Sequence, residues 1–315
     1  MESTENCLLK DRSKMERYEK AIMEYVDLGF ATELAPDEAE KMQWNKNAYF
    51  TPHHPVFKET SVSTKLRVVF NASSPDQNGV SLNDTLLPGP ALQPDIGAVL
   101  LRFRSHPFVI SGDIQKMFPQ TAVDESYWPY QLYLWRSCLT NIEPKVYAMM
   151  RLMFGYTSSP FLAGQSVRKH ADQDEMIKQY PVAAECVRED LYVDDFLGGD
   201  ETEEAVMELQ RQLVGFFSSG GWKMTKFASN SAKVMNAIDI EDRLPGVIVD
   251  LYHDENDYQS ATVLGLRWNT SNDTLLCNSS DKMLQEITVV TKRAILSKLH
   301  SVYDIFGFFA AYIIR

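Results

Sequence analysis

The sequence has few of the features that mark special classes of protein. Its four cysteines form no Cys-x-x-Cys pair, so we predict neither a disulfide framework nor a structural zinc site. Its longest apolar stretch covers residues 305–314, well short of the roughly 18–20 residues that cross a bilayer. Residues 1–6 are polar and acidic, whereas a signal peptide starts basic and turns apolar. We therefore expect an intracellular, cytoplasmic protein that is not secreted and has no membrane partner.

Basic residues are too few for a protein that coats nucleic acid by charge alone. The chain has 31 Lys and Arg against 43 Asp and Glu, a net charge of −12, whereas such coating depends on Lys and Arg at the phosphates. Residues 189–204 hold eight acidic residues and no basic one. Between residues 58 and 116, by contrast, six basic residues occur: Lys58, Lys65, Arg67, Arg102, Arg104 and Lys116. The two signs of charge are thus separated along the chain.

The hydrophobic pattern predicts helices and strands that follow one another around a sizeable core, for which 44% hydrophobic residues suffice. Apolar residues at helical spacing predict helices over residues 10–28, 92–103, 161–178, 182–188, 203–217 and 297–314. Runs of β-branched and aromatic residues predict strands over 49–57, 66–70, 108–113, 223–227 and 261–268, and a tight hairpin over 191–197. This order indicates an α+β fold in which helices pack on one face of a sheet.

Three carboxylates stand beside apolar segments in a way that suggests metal chemistry. Asp194 and Asp195 are adjacent in a Tyr-Val-Asp-Asp motif (YVDD), and Asp113 ends the apolar strand over residues 108–113. Mg²⁺ prefers carboxylate oxygens, and two such ions about 3.5–4 Å apart can orient a hydroxyl and stabilise a leaving pyrophosphate. Acids from two neighbouring strands would supply that clamp. The alternative is an Asp-Asp pair in an ordinary solvated turn.

Five segments resemble, in the same order, the palm motifs of reverse transcriptases. They are FVISGDIQKMF (108–118), FGYTSSPF (154–161), YVDD (192–195), GWKMTKFASN (221–230) and VLGLRW (263–268). Further segments, at residues 52–56, 64–73, 81–84, 87–90, 291–293 and 303–307, resemble the polymerase of BEL/Pao-type LTR retrotransposons. The resemblance extends from about residue 49 to residue 315 and covers most of the chain.

This resemblance implies a right-hand polymerase fold, in which an antiparallel palm sheet is packed by helices. Residues 1–48 would form an N-terminal helical lead-in and residues 49–107 the fingers. Residues 108–284 would form the palm, with part of the fingers inserted between the first and second motifs. Residues 285–315 would be the truncated start of the thumb or connection.

The implied function is that of an RNA-directed DNA polymerase (reverse transcriptase), a nucleotidyltransferase that joins a dNTP to a primer 3′-hydroxyl. Two Mg²⁺ ions, or Mn²⁺ in their place, would be held by Asp113, Asp194, Asp195 and the backbone carbonyl of Ile114. Lys226 matches a lysine that protonates the leaving pyrophosphate, a role that general acid catalysis allows. A surface lysine is the alternative for Lys226.

Four further residues are implied to contact the nucleotide. Lys65 and Arg67 would lie against the triphosphate, because a guanidinium fork suits phosphate oxygens; a solvated strand face is the alternative. Phe118 stands where the family places an aromatic ring that excludes a ribose 2′-hydroxyl, although a core phenylalanine fits the same pattern. Phe154 stands where many reverse transcriptases carry Gln, and Asn71 where an acid is common.

The implied partners are an RNA or DNA template, a DNA primer, dNTPs, and the protease, RNase H and integrase of a retroelement polyprotein, with virus-like particles as one location. A catalytically inactive or domesticated remnant that binds nucleic acid or protein is the main alternative function. A metal-dependent phosphohydrolase that uses the same acids is a weaker one. We assign His53 and His54 to a structural turn rather than a metal site, because adjacent residues of an extended chain point to opposite sides.

Overall fold

The computed structural model describes residues 2–44, 48–58, 66–137, 142–245, 260–276, 290–309 and 311. The helices are α1 (Glu2–Leu8), α2 (Arg12–Asp27), α3 (Pro36–Gln43), α4 (Leu82–Thr85), α5 (Ile96–Ser105), α6 (Met117–Gln120), α7 (Ser159–Ala171), α8 (Asp174–Gln179), α9 (Pro181–Glu189), α10 (Glu203–Ser219), α11 (Ala232–Ala237) and α12 (Lys292–Leu299), with 3-10 turns at Glu125–Gln131 and Ile240–Asp242. Among the described residues, no helix combines the length and apolar composition needed to cross a bilayer.

The strands are β1 (Ala31–Glu33), β2 (His53–Phe57), β3 (Leu66–Phe70), β4 (Phe108–Ile114), β5 (Leu132–Trp135), β6 (Lys145–Met149), β7 (Leu191–Tyr192), β8 (Asp195–Asp200), β9 (Met224–Ser229), β10 (Ser260–Val263), β11 (Leu266–Asn269) and β12 (Thr274–Leu276). They pair antiparallel in sheets of order β1-β6-β5, β2-β3, β7-β8-β4-β9 and β10-β11-β12. The α+β prediction with an antiparallel sheet is confirmed. Contacts divide the chain into unit 1 (Met1–Ala91 and Lys116–Ser166) and unit 2 (Leu92–Gln115 and Val167–Arg315).

The core of unit 1 forms between helix α2 and the sheets β2-β3 and β1-β6-β5. The carboxylate of Asp11 caps α2 by accepting from the Lys14 amide, and Met15, Tyr18 and Ile22 are buried at helical spacing. They join one apolar cluster with residues of β3, β5 and β6. Buried residues of the expected lead-in, from Leu8 to Ala31, thus pack into the same core as the strands that follow them, while the proposed domain boundaries stay a prediction.

His53 holds this core together as a buried structural residue. Its Nε2 lies 2.8 Å from the Leu134 carbonyl oxygen, and its Nδ1 lies 2.6 Å from the hydroxyl of Tyr18. Because a carbonyl only accepts, Nε2 carries the proton and Nδ1 accepts from Tyr18. Burial lowers the pKa of His53, which favours this neutral form. The residue lies in strand β2 and not in the predicted turn, and exposed His54 points to the other side.

Unit 2 is built on the sheet β7-β8-β4-β9, which has helices on both faces. Val109 and Leu197 share an apolar cluster with α5 and with the sheet β10-β11-β12. On the opposite face, helix α10 packs against the sheet. Its Leu209 lies over Gly198, because a Cβ placed on that glycine would be 3.6 Å from the Cδ2 atom of Leu209. The prediction that helices pack on one face only is therefore wrong, because successive residues of β4 and β8 are apolar on both sides.

Two predicted helices differ from the structure. The helix expected over residues 161–178 is broken after Ala171, and Asp174 and Glu175 start α8, where carboxylates favour a helix N-terminus. The helix expected over residues 297–314 is not continuous, because helix α12 ends at Leu299. Turns follow, in which the Asp304 carboxylate accepts from the amides of residues 308 and 309. Such local bonds compete with helical ones; residues 310 and 312–315 lie outside the described part.

We predict that two tyrosines of the unit 1 core respond in opposite ways to loss of their hydroxyl. Tyr18→Phe leaves Nδ1 of His53 buried without its donor, so the free energy of unfolding should fall by about 1–3 kcal/mol. Tyr133 is the matched control, because its hydroxyl is buried without a hydrogen-bond partner in the described part of the chain. Urea unfolding of Tyr133→Phe should show no loss or a gain. Equal losses of unfolding free energy in both variants would contradict the hydrogen bond from the Tyr18 hydroxyl to His53.

Candidate active site

Strand pairing brings Asp113 and Asp195 together in unit 2. Asp113 near the end of β4 is the antiparallel partner of Asp195 at the start of β8. Paired residues place their Cβ atoms on the same face, roughly 4.5–5.5 Å apart, so the two carboxylates share one face of the sheet. The expectation that these acids come from neighbouring strands is met.

Asp194 lies in the turn between β7 and β8. We call β7, this turn and the first residues of β8 the acidic hairpin (residues 191–197). Tyr192 pairs with Asp195, which leaves Val193 and Asp194 as a two-residue turn. Val193 has a φ of 58°, a conformation that usually needs Gly at the first position of such turns. The Asp194 carbonyl accepts from the Ile114 amide at 2.8 Å, so the turn is bound to the strand that carries Asp113.

A β-bulge directs Lys226 to the same face. Ser111 pairs with Ala228 and Asp113 with Thr225, so Lys226 and Phe227 of β9 both stand opposite Gly112. Lys226 has a φ of 56°, and bulges of this kind re-aim a side chain. Its Nζ donates to Oδ2 of Asp113 at 3.0 Å. A regular strand would send Lys226 to the other face, since it follows Thr225 directly.

Gly112 allows this bulge to pack. A Cβ added there would lie 2.8 Å from Cε1 of Phe227 and 3.0 Å from Cε of Met224, closer than real side chains approach. From the sequence, no role is predicted for Gly112 or for Val193. The hint that the sequence gives about Gly112 is its position directly before Asp113. Val193 gives no hint of its strained backbone, because valine is an ordinary strand residue.

The electrostatics of the acids reflect their proximity. The pKa of Asp195 is raised to about 7, chiefly by desolvation and also by the neighbouring charges of Asp194 and Asp113, while the Lys226 ammonium opposes the rise. The three carboxylates therefore act on one another, and the Lys226 ammonium neutralises part of their charge. Asp113 and Lys226 are both partly exposed, at 21% and 39% of their side chains, so solvent reaches the pair.

The donor set suits a hard divalent cation, although its members do not already enclose one. Three carboxylates on one face supply the oxygens that Mg²⁺ prefers. Across the described ranges, no three acidic, histidine or cysteine side chains already stand in positions to hold a metal ion. In this arrangement Lys226 supplies the positive charge beside Asp113. The residues fit a divalent cation by chemistry, and binding would require the carboxylates to converge and Asp113 to exchange partners.

The other predicted site residues belong to unit 1. Arg67 is exposed on β3 and makes no ion pair within the described residues, whereas Lys65 lies outside them. Phe118, in α6, is 9% exposed and its ring packs on Phe154 with centroids 4.7 Å apart. Phe154 itself is 47% exposed. The structure thus joins Phe118 to Phe154 in unit 1, and the three acids to Lys226 in unit 2.

The fold resembles that of solved reverse transcriptases. The foamy viral protease-reverse transcriptase dRH in complex with double-stranded DNA matches with a TM-score of 0.56 and 17% identity, over 90% of this chain and 38% of that one. The foamy viral protease-reverse transcriptase with an RNA/DNA hybrid gives 0.57 and 16%, over 94% and 31%. Its complex with double-stranded DNA gives 0.56 and 17%, over 92% and 47%.

This chain therefore spans less than half of each of those chains. Identities this low show the fold alone. The right-hand polymerase fold that the sequence predicts is confirmed at that level. No protein-family model matches the sequence, and no curated protein does.

We predict that Asp195 makes stability depend on pH. Its folded pKa of about 7 lies above the ordinary value of 3.8, so its stabilising contribution is complete below pH 4 and is lost as pH rises through 7. Asp195→Asn stays neutral. In metal-free buffer, its free energy of unfolding relative to wild type should therefore rise between pH 5 and pH 8.5, by on the order of 1 kcal/mol or more.

Asp200→Asn, at the other end of β8, is the control for this measurement. A pH dependence in Asp195→Asn no larger than in Asp200→Asn would contradict the burial and the neighbouring charges assigned to Asp195.

Proposed function

We propose that the chain is the polymerase part of a BEL/Pao-like retroelement, an RNA-directed DNA polymerase that extends a DNA primer with dNTPs. One observation carries this proposal: Asp113 and Asp195 face each other across β4 and β8, with Asp194 beside them in a strained turn. Strained backbone that persists beside clustered acids is typical of functional sites. The reverse transcriptase fold and the five ordered motifs support the same function.

In the proposed reaction, the primer 3′-oxygen loses its proton and bonds to the α-phosphorus of a dNTP, while the bond to pyrophosphate breaks. Asp113, Asp194, Asp195 and the Ile114 carbonyl would hold two Mg²⁺ or Mn²⁺ ions. When bound, such ions lower the pKa of the attacking hydroxyl and stabilise charge on the leaving oxygens. The carboxylates themselves set where the 3′-hydroxyl and the phosphates meet.

Lys226 has a place in this scheme that its contact with Asp113 supports. Its ammonium lies on the face of the acids and is held there by the bulge. Once Asp113 exchanges partners, the ammonium is positioned to donate a proton to the leaving pyrophosphate. Lys226 would thus neutralise Asp113 before substrates bind and assist the leaving group afterwards.

The nucleotide contacts are proposed on the chemistry of each residue. Arg67 is an exposed guanidinium on a strand, which suits bidentate contact with phosphate oxygens. Phe118 is largely buried and its ring packs against Phe154, and a ring in a fixed place can exclude a ribose 2′-hydroxyl by volume. Template, primer and the remaining parts of a polyprotein are the proposed partners.

The test is primer extension on an RNA template with dNTPs and Mg²⁺ or Mn²⁺. Asp194→Asn should reduce extension by about 100-fold or more, because the metal site supplies several kcal/mol of charge stabilisation. Asp200→Asn, the same change outside the acidic turn, should extend like wild type. A folded wild-type chain that binds template and primer without extending them would contradict the proposal and favour a binding module.

Ribonucleotides in the same assay test the role of Phe118. Phe118→Val should incorporate rNTPs more readily relative to dNTPs than wild type does. Phe30→Val, which shortens a phenylalanine packed on the unit 1 core, is the control, because it leaves both Phe118 and Phe154 in place. An unchanged preference in Phe118→Val would assign this residue to the core alone.

A further inference from the structure

The outer strand of the acidic hairpin, β7, is too short to be held in place by its own strand pairing alone. Strand β7 contains only Leu191 and Tyr192 and forms an edge of the sheet β7-β8-β4-β9, so among the described residues it pairs on one side only. The turn that follows holds Val193 at positive φ, a costly backbone conformation for a β-branched residue. A short, strained edge element keeps its geometry only where other contacts determine it.

Asp190 supplies such contacts at the base of the hairpin. Its amide donates to the Cys186 carbonyl at 2.8 Å, which ends α9, and its own carbonyl accepts from the Leu197 amide at 3.0 Å. Its Oδ1 accepts from Nε of Arg102 at 2.8 Å. One residue therefore joins the end of a helix, the far strand of the hairpin and a second helix.

Arg102 makes the third of these connections from α5. Besides its bond to Asp190, its Nη2 donates to the main-chain carbonyl of Glu189. A planar guanidinium with two donors in a fixed fork defines an orientation as well as an attraction. Helix α5 is a firm support, because Val99 and Phe103 are completely buried. Arg102 thus ties the two residues that precede β7 to the core of unit 2.

We propose that Arg102 and Asp190 are positioning residues that set where Asp194 and Asp195 stand for cation binding. Asp190 lies four residues before Asp194, so a shift at the base of the hairpin moves the acids at its tip. The bond from the Ile114 amide to the Asp194 carbonyl holds the tip, and the Arg102–Asp190 pair holds the base. The role given to the two acids rests on the proposed function.

The test measures Mn²⁺ binding directly, from the paramagnetic resonance signal of free Mn²⁺, and counts only the binding that Asp113→Asn abolishes. Arg102→Met should raise the Kd for Mn²⁺ by about 10-fold, the effect typical of removing a partner that orients metal ligands. Arg102→Lys should recover part of the affinity, because it keeps the charge and loses the fork. Asp190→Asn should weaken binding in the same direction.

Arg104→Met is a closely matched control. Arg104 stands on the same helix with a similar exposed fraction, 33% against 36% for Arg102, and ion-pairs with Asp273 at 2.6 Å. Its Nη2 also donates to a main-chain carbonyl, that of Asp273, at 3.1 Å. It ties α5 to the turn between β11 and β12 instead of the acidic hairpin. Arg104→Met should lower the thermal stability by about as much as Arg102→Met does. It should leave the Kd for Mn²⁺ within about twofold of the wild-type value.

Two results would overturn the inference. One is Mn²⁺ affinity in Arg102→Met that equals wild type or falls no further than in Arg104→Met. The other is a wild-type chain with no Mn²⁺ binding that depends on Asp113. Primer extension is measured separately. A chain whose Mn²⁺ affinity depends on Arg102 but which extends no primer would uphold the positioning role and contradict the proposed function.

Discussion

The antiparallel register of β4 and β8 is the constraint on which the candidate site depends. It opposes Asp113 to Asp195, and a slip of one residue would turn every side chain of one strand to the other face. That slip would turn Asp113 or Asp195 from the face of Val109 and Leu197 onto the face where Ile110 and Phe196 are buried, and burying a carboxylate among apolar side chains is costly. The same burial that stabilises unit 2 therefore fixes the position of its acids.

Two local departures from regular structure complete the site. The turn at Val193 brings Asp194 beside the paired acids, and the bulge at Lys226 turns an ammonium towards Asp113. Each departure costs free energy, which well-packed surroundings such as Phe227 against Gly112 offset. Val193 directly precedes Asp194, and the Lys226 ammonium contacts Asp113, the pattern expected where strain serves function. The arrangement concentrates negative charge and supplies one cation to hold it.

The fold and the acids were predictable because they depend on local pattern. Asp113 ends an apolar run, and Asp194 and Asp195 interrupt the apolar residues of 191–197, which indicates a hairpin. Both therefore follow from the chemistry of a few neighbouring residues. Strands β5 and β6 escaped prediction, because each is no longer than five residues and β6 also pairs with β1, which lies far away along the chain. The break after Ala171 escaped for a related reason, since no Gly or Pro marks it. The contacts of Lys226 with Asp113, and of Arg102 with Asp190, join residues 113 and 88 positions apart, and such pairing carries no signal in a single sequence.

The most direct test of the central claim is a crystal of the chain soaked in Mn²⁺ and measured for anomalous scattering. We expect a Mn²⁺ peak within coordination distance, about 2.0–2.3 Å, of oxygens from Asp113 and from Asp194 or Asp195. We also expect Lys226 to have left Asp113. Density in which Lys226 still pairs with Asp113, and no Mn²⁺ peak lies beside these acids, would contradict a metal site at this face of the sheet.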